Sequence, residues 1–418
     1  MIELMNRDWI DAAPSRAVME ALHDGAGEDT LARFVGGAVR DGILGRTVKD
    51  VDIATVLLPD DVSLRLSRHA IKVVPTGIEH GTVTAVVDGR PFEITTLRRD
   101  VETDGRRAVV AFTDDWAEDA ARRDFTMNAL YADRMGVVYD PCGGLADLAA
   151  GRVRFVGEAE QRIREDALRI LRFFRFHAWY GGEDMDAESY GACITRVDDL
   201  GILSVERVAA ELLKLLAAPD PMPVLRMMQT GGVLRRVLPE AALLDRLAGL
   251  VPLEKTFKRV DALRRLGALM PDGAAEVGER LRLSKHDQER LAEMIVPRED
   301  IEPSRDGNAF GRRMRALVYG IGKDSFTDHM LLNWAGRGGD IRNKRWRELL
   351  NAVDAWQVPR FTIKGRDAIA LGAEAGPGVG DLLEALELWW ATRDFKPTRA
   401  DLLAQLERMV MGQKPTQE

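Results

Sequence analysis

The chain has 418 residues, of which 46% are hydrophobic and 30% charged, and its formal net charge is −8. These values exclude a largely disordered chain and predict a globular protein of roughly two to four domains. The cysteines, Cys142 and Cys193, have no partner at metal-ligand spacing, so neither a disulfide framework nor a zinc site is expected. Because no apolar run approaches the roughly 18 residues of a membrane span, we expect a soluble, cytoplasmic protein.

Short β-rich runs alternate with helical patterns in the first part of the chain. They are RFVGG, VDIATVLL, GTVTAVVDG, RPFEITTL and GVVYDP. Beyond about residue 158 the pattern becomes amphipathic helix, with helices predicted at 164–180, at 204–217 after a Ser204 cap, and at 346–356. The sequence therefore predicts an α+β chain with a small α/β head and a helical extension.

The stretch FVGGAVRDGILGRTVKDVDIA begins with a strand that ends in Gly36 and Gly37. Glycine has no Cβ, so backbone N–H groups could approach a phosphate closely, and the N-terminus of a following helix favours negative charge. Arg40, about one turn into that helix, would add a forked cation. Taken alone, the glycine pair favours an ordinary structural turn.

Asp50 and Asp52 lie two residues apart on a predicted strand. Side chains at this spacing point to the same face, so the two carboxylates would converge and repel each other unless a cation lies between them. Magnesium fits, because it takes oxygen ligands and is usually completed by substrate phosphates. An Asp-x-Asp pair is also common on solvated surfaces, and that alternative stays open here.

Glu93 is a candidate third carboxylate beside these two aspartates. It alternates with Phe92 and Ile94 and so faces away from the apolar side of its predicted strand. There it could complete a site of three carboxylates. The alternative is a solvated strand residue paired with Arg98 or Arg99.

Arginine is concentrated between residues 151 and 180, where seven arginines face four acids. This local charge of +3 in an acidic chain indicates an anionic ligand. Residues 121–131, ARRDFTMNALY, are predicted to begin a helix, and 164–175 to form one slanted helical ridge. A solvated charged face is the usual meaning of such a helix. The polar residues of the two segments are Arg122, Arg123, Asp124 and Asn128, and Asp166, Arg169, Arg172 and Arg175.

An ordered series of motifs over residues 34–217 resembles the class II tRNA nucleotidyltransferases, which are the CCA-adding enzymes, and their bacterial poly(A) polymerase relatives. The motifs are GGAVRDGILGRTVKDVDIA, GIEHGTVTAVV, FEITTLR, RRDFTMNALY, DPCGGLADLAAGRVRFVG, REDALRILRFFRF and SVERVAAELLKLL.

The resemblance implies a polymerase beta-like nucleotidyltransferase head with a mixed sheet, followed by an all-helical neck, body and tail. On this chain the head would span residues 1–150, the neck 151–235, the body 236–355 and the tail 356–418. Asp50 and Asp52 would hold Mg²⁺ and form the catalytic centre, to which we add Glu93. The nucleotide-binding positions would be Gly36, Gly37, Arg40, Arg123, Asp166, Arg169, Arg172 and Arg175, with Asp166 and Arg169 pairing with the base edge.

The activity implied by the resemblance is template-independent addition or repair of the 3′-terminal CCA of tRNA from CTP and ATP, with no DNA partner. Poly(A) synthesis is the nearest alternative. The poly(A) polymerase relatives typically have a more basic segment after the Asp-x-Asp strand. Here that place reads VVPTGIEHGTV, and Lys72 is the one basic residue directly before it. A partial C-adding or A-adding enzyme also stays open, although the turn-rich residues 98–110 occupy the place of the family's flexible loop.

The second half of the chain indicates less about function than the first half does. Residues 361–390 resemble the family's tail, and their GPGVG could contact an RNA phosphate or form a plain turn. The basic segment 342–350 is a second candidate for RNA contact, although a solvated helix face is favoured. We interpret His286 and Asp287 as part of an ordinary helix start, without a metal-dependent phosphohydrolase domain.

Overall fold

The structure is a computed structural model that describes residues 4–25, 31–104, 107–298, 300–303 and 310–413. The chain divides into two compact units, Met1–Pro239 and Glu240–Glu418. None of the described helices combines the length and apolar character needed to cross a bilayer.

The first unit is built on a mixed sheet of seven strands and a separate two-stranded ribbon. The sheet order is β3-β4-β5-β2-β1-β8-β9, in which β2 and β5 are parallel, and the ribbon pairs β6 with β7. The strands are β1 (Ala32–Val35), β2 (Val51–Thr55), β3 (Lys72–Gly77), β4 (Thr82–Val87), β5 (Arg90–Thr96), β6 (Arg98–Asp104), β7 (Arg107–Phe112), β8 (Tyr131–Ala132) and β9 (Val138–Tyr139).

Twelve helices accompany this sheet. They are α1 (Asp8–Asp11), α2 (Ala13–Leu22), α3 (Gly37–Ile43), α4 (Pro59–Arg68), α5 (Trp116–Ala121), α6 (Gly144–Ala149), α7 (Ala159–Glu165), α8 (Leu168–Tyr180), α9 (Ala187–Thr195), α10 (Val205–Leu216), α11 (Met222–Thr230) and α12 (Val233–Val237), with 3-10 turns at Ile78–His80, Thr126–Asn128 and Val197–Ile202.

One face of the sheet is apolar and the other is polar around its centre. Alternation along β2 and β5 buries Ile53, Phe92 and Ile94, and helices α2 and α4 pack on this side of the sheet. The opposite face therefore receives the side chains of Asp52 and Glu93, which are both exposed. This alternation positions the candidate site.

The second unit is helical throughout its described residues, and buried ion pairs link several of its helices. Glu254, fully buried, pairs with Arg264 at 2.8 Å and Arg265 at 2.6 Å, and Arg264 also pairs with Asp328 at 2.7 Å. The helices are α13 (Leu244–Phe257), α14 (Ala262–Leu269), α15 (Ala274–Arg280), α16 (Lys285–Ile295), α17 (Arg312–Ile321), α18 (Lys323–Gly336), α19 (Lys344–Ala355), α20 (Gly365–Ala370), α21 (Gly378–Ala391) and α22 (Arg399–Gln413).

Most predicted elements are present, and three predictions of local structure were wrong. The helix predicted at 164–180 is interrupted at Asp166, which is extended with φ −154°. Residues 121–131 do not begin a helix, because α5 ends at Ala121 and a single 3-10 turn follows. The turn-rich residues 98–110 form most of the β6–β7 ribbon, although residues 105–106 lie outside the described ranges.

Two helix starts that the sequence predicted are present. Ser204 is the N-cap residue of α10, although its side chain makes no capping hydrogen bond. Ser284 caps α16 through a hydrogen bond to the backbone of Asp287, so His286 and Asp287 belong to an ordinary helix start. Cys142 and Cys193 are both free thiols.

Candidate active site

The carboxylates of the candidate site lie on the polar face of the sheet. In the parallel register of β2 and β5, Asp52 is directly beside Glu93, and in the antiparallel register of β1 and β2 it is opposite Val35. Asp50 is also exposed, but it precedes β2. The prediction that Asp50 lies on the same strand as Asp52 was therefore wrong. The structure therefore brings Asp52 and Glu93 together through strand pairing, and Asp50 lies in the chain just before β2.

The electrostatics of these carboxylates favour a cation. Although Asp52 is exposed as a residue, desolvation of its carboxylate raises its pKa, the negative charges of Glu93 and Asp50 raise it further, and Arg123 opposes them. Among the described residues, no three His, Cys, Asp or Glu side chains are close enough together to hold a metal ion. The donor set thus fits a hard cation held by two carboxylates and completed by the phosphates of a substrate.

The two glycines after β1 meet different requirements. Gly36 has φ +69°, a backbone conformation that favours glycine, and a Cβ there would lie 3.7 Å from Nη1 of Arg123. Gly37 is the first residue of α3, and its Cβ would lie 3.6 Å from Nη2 of Arg40. The turn therefore lies in ordinary contact with two arginines, and the positive φ of Gly36 is what favours glycine there.

Arg40 is buried, and three of the five N–H donors of its guanidinium have partners. Its guanidinium donates to Oδ1 of Asn128 at 2.5 Å, to the hydroxyl of Tyr180 at 2.7 Å and to Oδ1 of Asp41 at 3.0 Å. The same group lies 4.0 Å from the ring centroid of Tyr180. Arg40 thus connects the glycine turn to α8, and its predicted contact with a phosphate would share the guanidinium with these three bonds.

Arg123 lies between the carboxylates and the helices that follow the sheet. It donates to Oδ2 of the buried Asp119 at 3.0 Å, and the hydroxyl of Tyr131 donates to the same oxygen at 2.7 Å. Burial alone would raise the pKa of Asp119, but Arg123 and Arg122 hold it below its usual value. Asp119 therefore stays ionised and orients both arginines.

Asp124 joins this region to α8. Nε and Nη2 of Arg172 donate to Oδ2 of Asp124 at 2.8 Å and 2.5 Å, and Nδ2 of Asn128 donates to Oδ1 at 3.0 Å. Burial would raise the pKa of Asp124, but the paired arginine and these hydrogen bonds lower it. Because Asn128 also accepts from Arg40, one chain of polar contacts runs from the glycine turn to α8.

A cavity of about 270 Å³ opens where α8 begins. Nη1 of Arg169 donates to Glu165 at 2.6 Å and to the carbonyl of Arg162 at 2.8 Å, and Nη2 of Arg207 donates to Asp166 at 2.6 Å. Asp166 and Arg169 are thus each held by a partner, Arg207 of α10 and Glu165 of α7. The residues that line it are Arg122, Arg123, Asp124, Asp166, Leu168, Arg169, Arg172 and Arg207.

Arg175 is not among the residues that line this cavity. Its Nε lies 2.7 Å from Oε2 of Glu211 on α10, and its guanidinium lies 4.3 Å from the ring centroid of Phe176. Burial lowers the pKa of Arg175 despite the attraction of Glu211. Arg175 was predicted to bind nucleotide together with other arginines. Its side chain packs between α8 and α10 instead of lining the cavity.

The sequence analysis missed the acidic and basic partners of the predicted residues. Asp119, Glu165 and Glu211 orient arginines, and Arg207 contacts Asp166. A signal was present for Arg207, because it occupies the third position of α10, where the helix N-terminus disfavours a cation and a capping box has Glu or Gln.

Two family descriptions match parts of the chain. Residues 32–154 match the "Poly A polymerase head domain", and residues 184–244 match the "Probable RNA and SrmB- binding site of polymerase A". The sheet, the carboxylates and the first match define the class of the protein, which is a nucleotidyltransferase.

Similar proteins and a similar solved structure agree with this class. The mitochondrial CCA tRNA nucleotidyltransferase 1 of Mus musculus is 32% identical over 396 residues, which cover 92% of this chain and 88% of that protein. A CCA-adding enzyme of Streptococcus pyogenes is 47% identical over 190 residues, covering 45% of this chain and 46% of that one. The crystal structure of the Bacillus stearothermophilus CCA-adding enzyme in complex with CTP is similar with a TM-score of 0.74 and 26% identity, covering 96% of this chain and 98% of that chain.

The chain belongs to the family of class II CCA tRNA nucleotidyltransferases and poly(A) polymerases. The predicted fold class is confirmed, since a mixed-sheet head is followed by helices and the whole resembles a CCA-adding enzyme.

Proposed function

We propose that this protein adds or repairs the 3′-terminal CCA of tRNA, using CTP and ATP and no nucleic-acid template. The observation that supports this most strongly is the cavity at the start of α8, where Asp166 and Arg169 stand beside Arg123. A carboxylate accepts from, and a guanidinium donates to, the edge of a base, so protein groups can take the place of a template.

Asp50 and Asp52 would hold magnesium, with Glu93 beside them as a third catalytic carboxylate whose role as a ligand stays a prediction. When bound, the metal activates the RNA 3′-hydroxyl and neutralises charge that develops on the transferring phosphate. The carboxylates supply the negative charge that attracts the cation. The positions of Asp52 and Glu93 on adjoining strands supply the orientation.

Arg123 and the glycine turn are proposed to receive the triphosphate. Gly36 and Gly37 keep the turn free of side chains, and Arg123 is oriented by Asp119. Arg40 is proposed to maintain the position of this turn through Asn128 and Tyr180, in addition to its predicted contact with phosphate.

Selection of the base is proposed to depend on Asp166 and Arg169. Cytosine and adenine share an exocyclic amino group next to a ring nitrogen, whereas uracil and guanine have a carbonyl at the corresponding place. The Asp166 carboxylate would accept from the amino group and repel the carbonyl. Arg172 and Arg175 are proposed to shape the nucleotide site through their contacts with Asp124 and Glu211.

The division into head (1–150), neck (151–235), body (236–355) and tail (356–418) remains part of the proposal. The proposed tRNA contacts are on the body and tail, in residues 342–350 and 361–390. We also propose a cytoplasmic location, although the mouse relative is named as mitochondrial; fluorescence microscopy of the tagged chain tests this.

The test uses purified protein, Mg²⁺ and three tRNAs that end before CCA, after C and after CC, each with one nucleotide at a time. We expect C, C and A to be added in turn, and EDTA to stop addition without unfolding the protein. Absence of incorporation would contradict the proposal. ATP-only extension of any RNA would indicate a poly(A) polymerase, and C-only or A-only extension would indicate a partial enzyme.

A further inference from the structure

Arg207 occupies a place where local helix chemistry disfavours it. Ser204 is the N-cap residue of α10, so Arg207 is the third residue of that helix, within its first turn. The partial positive charge of a helix N-terminus favours acids there and repels cations. A cation at this position of a helix gains no local stabilisation, which indicates that Arg207 has a role elsewhere in the structure.

The side chain of Arg207 extends to the cavity at the start of α8. Its Nη2 donates to Oδ2 of Asp166 at 2.6 Å, across 41 positions of sequence. The backbone N–H of Leu168 donates to the other oxygen, Oδ1, at 3.1 Å. Each carboxylate oxygen therefore has one protein donor, and each retains one lone pair for a ligand.

Asp166 needs such support because of its backbone. It lies between α7 and α8 in an extended conformation, with φ −154° and ψ 105°, so no helix fixes its direction. Its side chain is 31% exposed, and that of Arg207 is 29% exposed. Without Arg207, the carboxylate would be able to rotate and to meet a base edge in several orientations.

We infer that Arg207 is a positioning residue for nucleotide choice: it fixes the Asp166 carboxylate in one orientation, as a hydrogen-bond acceptor for an exocyclic amino group. This inference rests on the proposed function. A carboxylate held in this way accepts from the amino group of cytosine or adenine, whereas the carbonyl of uracil or guanine offers it no donor.

The test measures discrimination, which is independent of how much of a variant is folded, because both nucleotides are offered to the same sample. The full chain with Mg²⁺ receives CTP or UTP on tRNA lacking CCA, and ATP or GTP on tRNA ending in CC. For R207M we expect the ratios of kcat/KM to fall about tenfold, as befits loss of one charge-assisted hydrogen bond. R207K should retain an intermediate ratio, since lysine keeps the charge without the fork.

Arg196 offers a matched control. It pairs with Asp199 at 2.5 Å, with side chains 31% and 28% exposed, and neither residue lines the cavity. R196M removes an ion pair whose side chains are about as exposed as those of Arg207 and Asp166. It should leave both ratios of kcat/KM unchanged. An equal rise in KM for all four nucleotides in R207M, or unchanged ratios, would overturn the inference.

A double variant tests whether Arg207 acts through Asp166. If it does, D166N lowers discrimination by itself, and R207M adds little to D166N, because the group that it positions has changed. Additive losses would contradict the inference. A wild-type protein that adds no nucleotide would instead refute the proposed function, so the two failures are distinguishable.

Discussion

Asp52 has the clearest residue-scale consequence in the molecule. It lies on β2 beside Glu93, and its pKa is raised by desolvation and by neighbouring carboxylates, so a bound cation would offset the repulsion among them. We expect D52A to abolish addition of both C and A, because one metal site would serve both reactions. The affinity for tRNA should change little, since a single carboxylate of the catalytic face is removed.

Primer extension with each nucleotide and a filter-binding titration with tRNA measure these two effects. The control is D61A, which removes an exposed carboxylate from α4 in the same unit. Loss of C addition alone in D52A would contradict a shared metal site.

Substitution of Arg169 is expected to have a different effect from D52A. Arg169 lines the cavity and pairs with Glu165 at 2.6 Å. We expect R169A to relax the choice of nucleotide more than it slows turnover, since the base edge loses a donor while the carboxylates are untouched. Competition between CTP and UTP in one reaction measures this. Unchanged discrimination would exclude Arg169 from base selection; R164A, which breaks an exposed pair with Glu160, is the control.

At the scale of elements, the connection between the 3-10 turn Thr126–Asn128 and α8 depends on the ionisation of Asp124. The folded-state pKa of Asp124 lies below its usual value, so the pair with Arg172 stabilises the fold fully above about pH 4 to 5. As pH falls through the unfolded-state pKa and then the folded-state pKa, the unfolded state binds protons first and this stabilisation is lost.

We therefore expect D124N to be less stable than wild type near neutral pH, and the difference in melting temperature to shrink below about pH 4. Thermal unfolding of both proteins at several values between about pH 3 and pH 7 measures this difference in melting temperature. A difference in melting temperature that stays constant to low pH would show that Asp124 does not act through its charge. D198N, a change at a second acidic residue of the same unit, is the control.

At the scale of the whole molecule, the arrangement of charge matters more than its total. The net charge is −8, yet arginines are concentrated between residues 151 and 180, and exposed Arg345 and Arg347 lie at the start of α19. If α19 contacts tRNA phosphates, R345A and R347A should each reduce the slope of log affinity against log salt by about 1. The catalytic rate at saturating tRNA should stay unchanged.

Titrations of tRNA at several salt concentrations provide the slopes. Lys344, which lies on the same helix but pairs with Glu348 at 3.6 Å, provides a comparison in which less effect is expected. Unaltered slopes in R345A and R347A would place the tRNA contacts elsewhere and favour the solvated-face alternative.

The sequence by itself determined the features that depend on local periodicity. Strand alternation predicted that Glu93 faces away from Phe92 and Ile94, and the structure leaves Glu93 exposed between two buried residues. The turn at Gly36 and the order of the motifs were equally visible, because glycine conformations and motif spacing are properties of neighbours in the chain.

Only the tertiary structure decided which charged residues are paired and which line the cavity. Periodicity placed Asp166 on a helical ridge, whereas α7 ends before it and Arg207, 41 positions away, holds its carboxylate. Arg40 was predicted to contact phosphate, and the structure adds that its guanidinium donates to Asn128 and Tyr180. Ion pairs and hydrogen bonds between distant residues depend on how helices pack, and no local spacing encodes that packing.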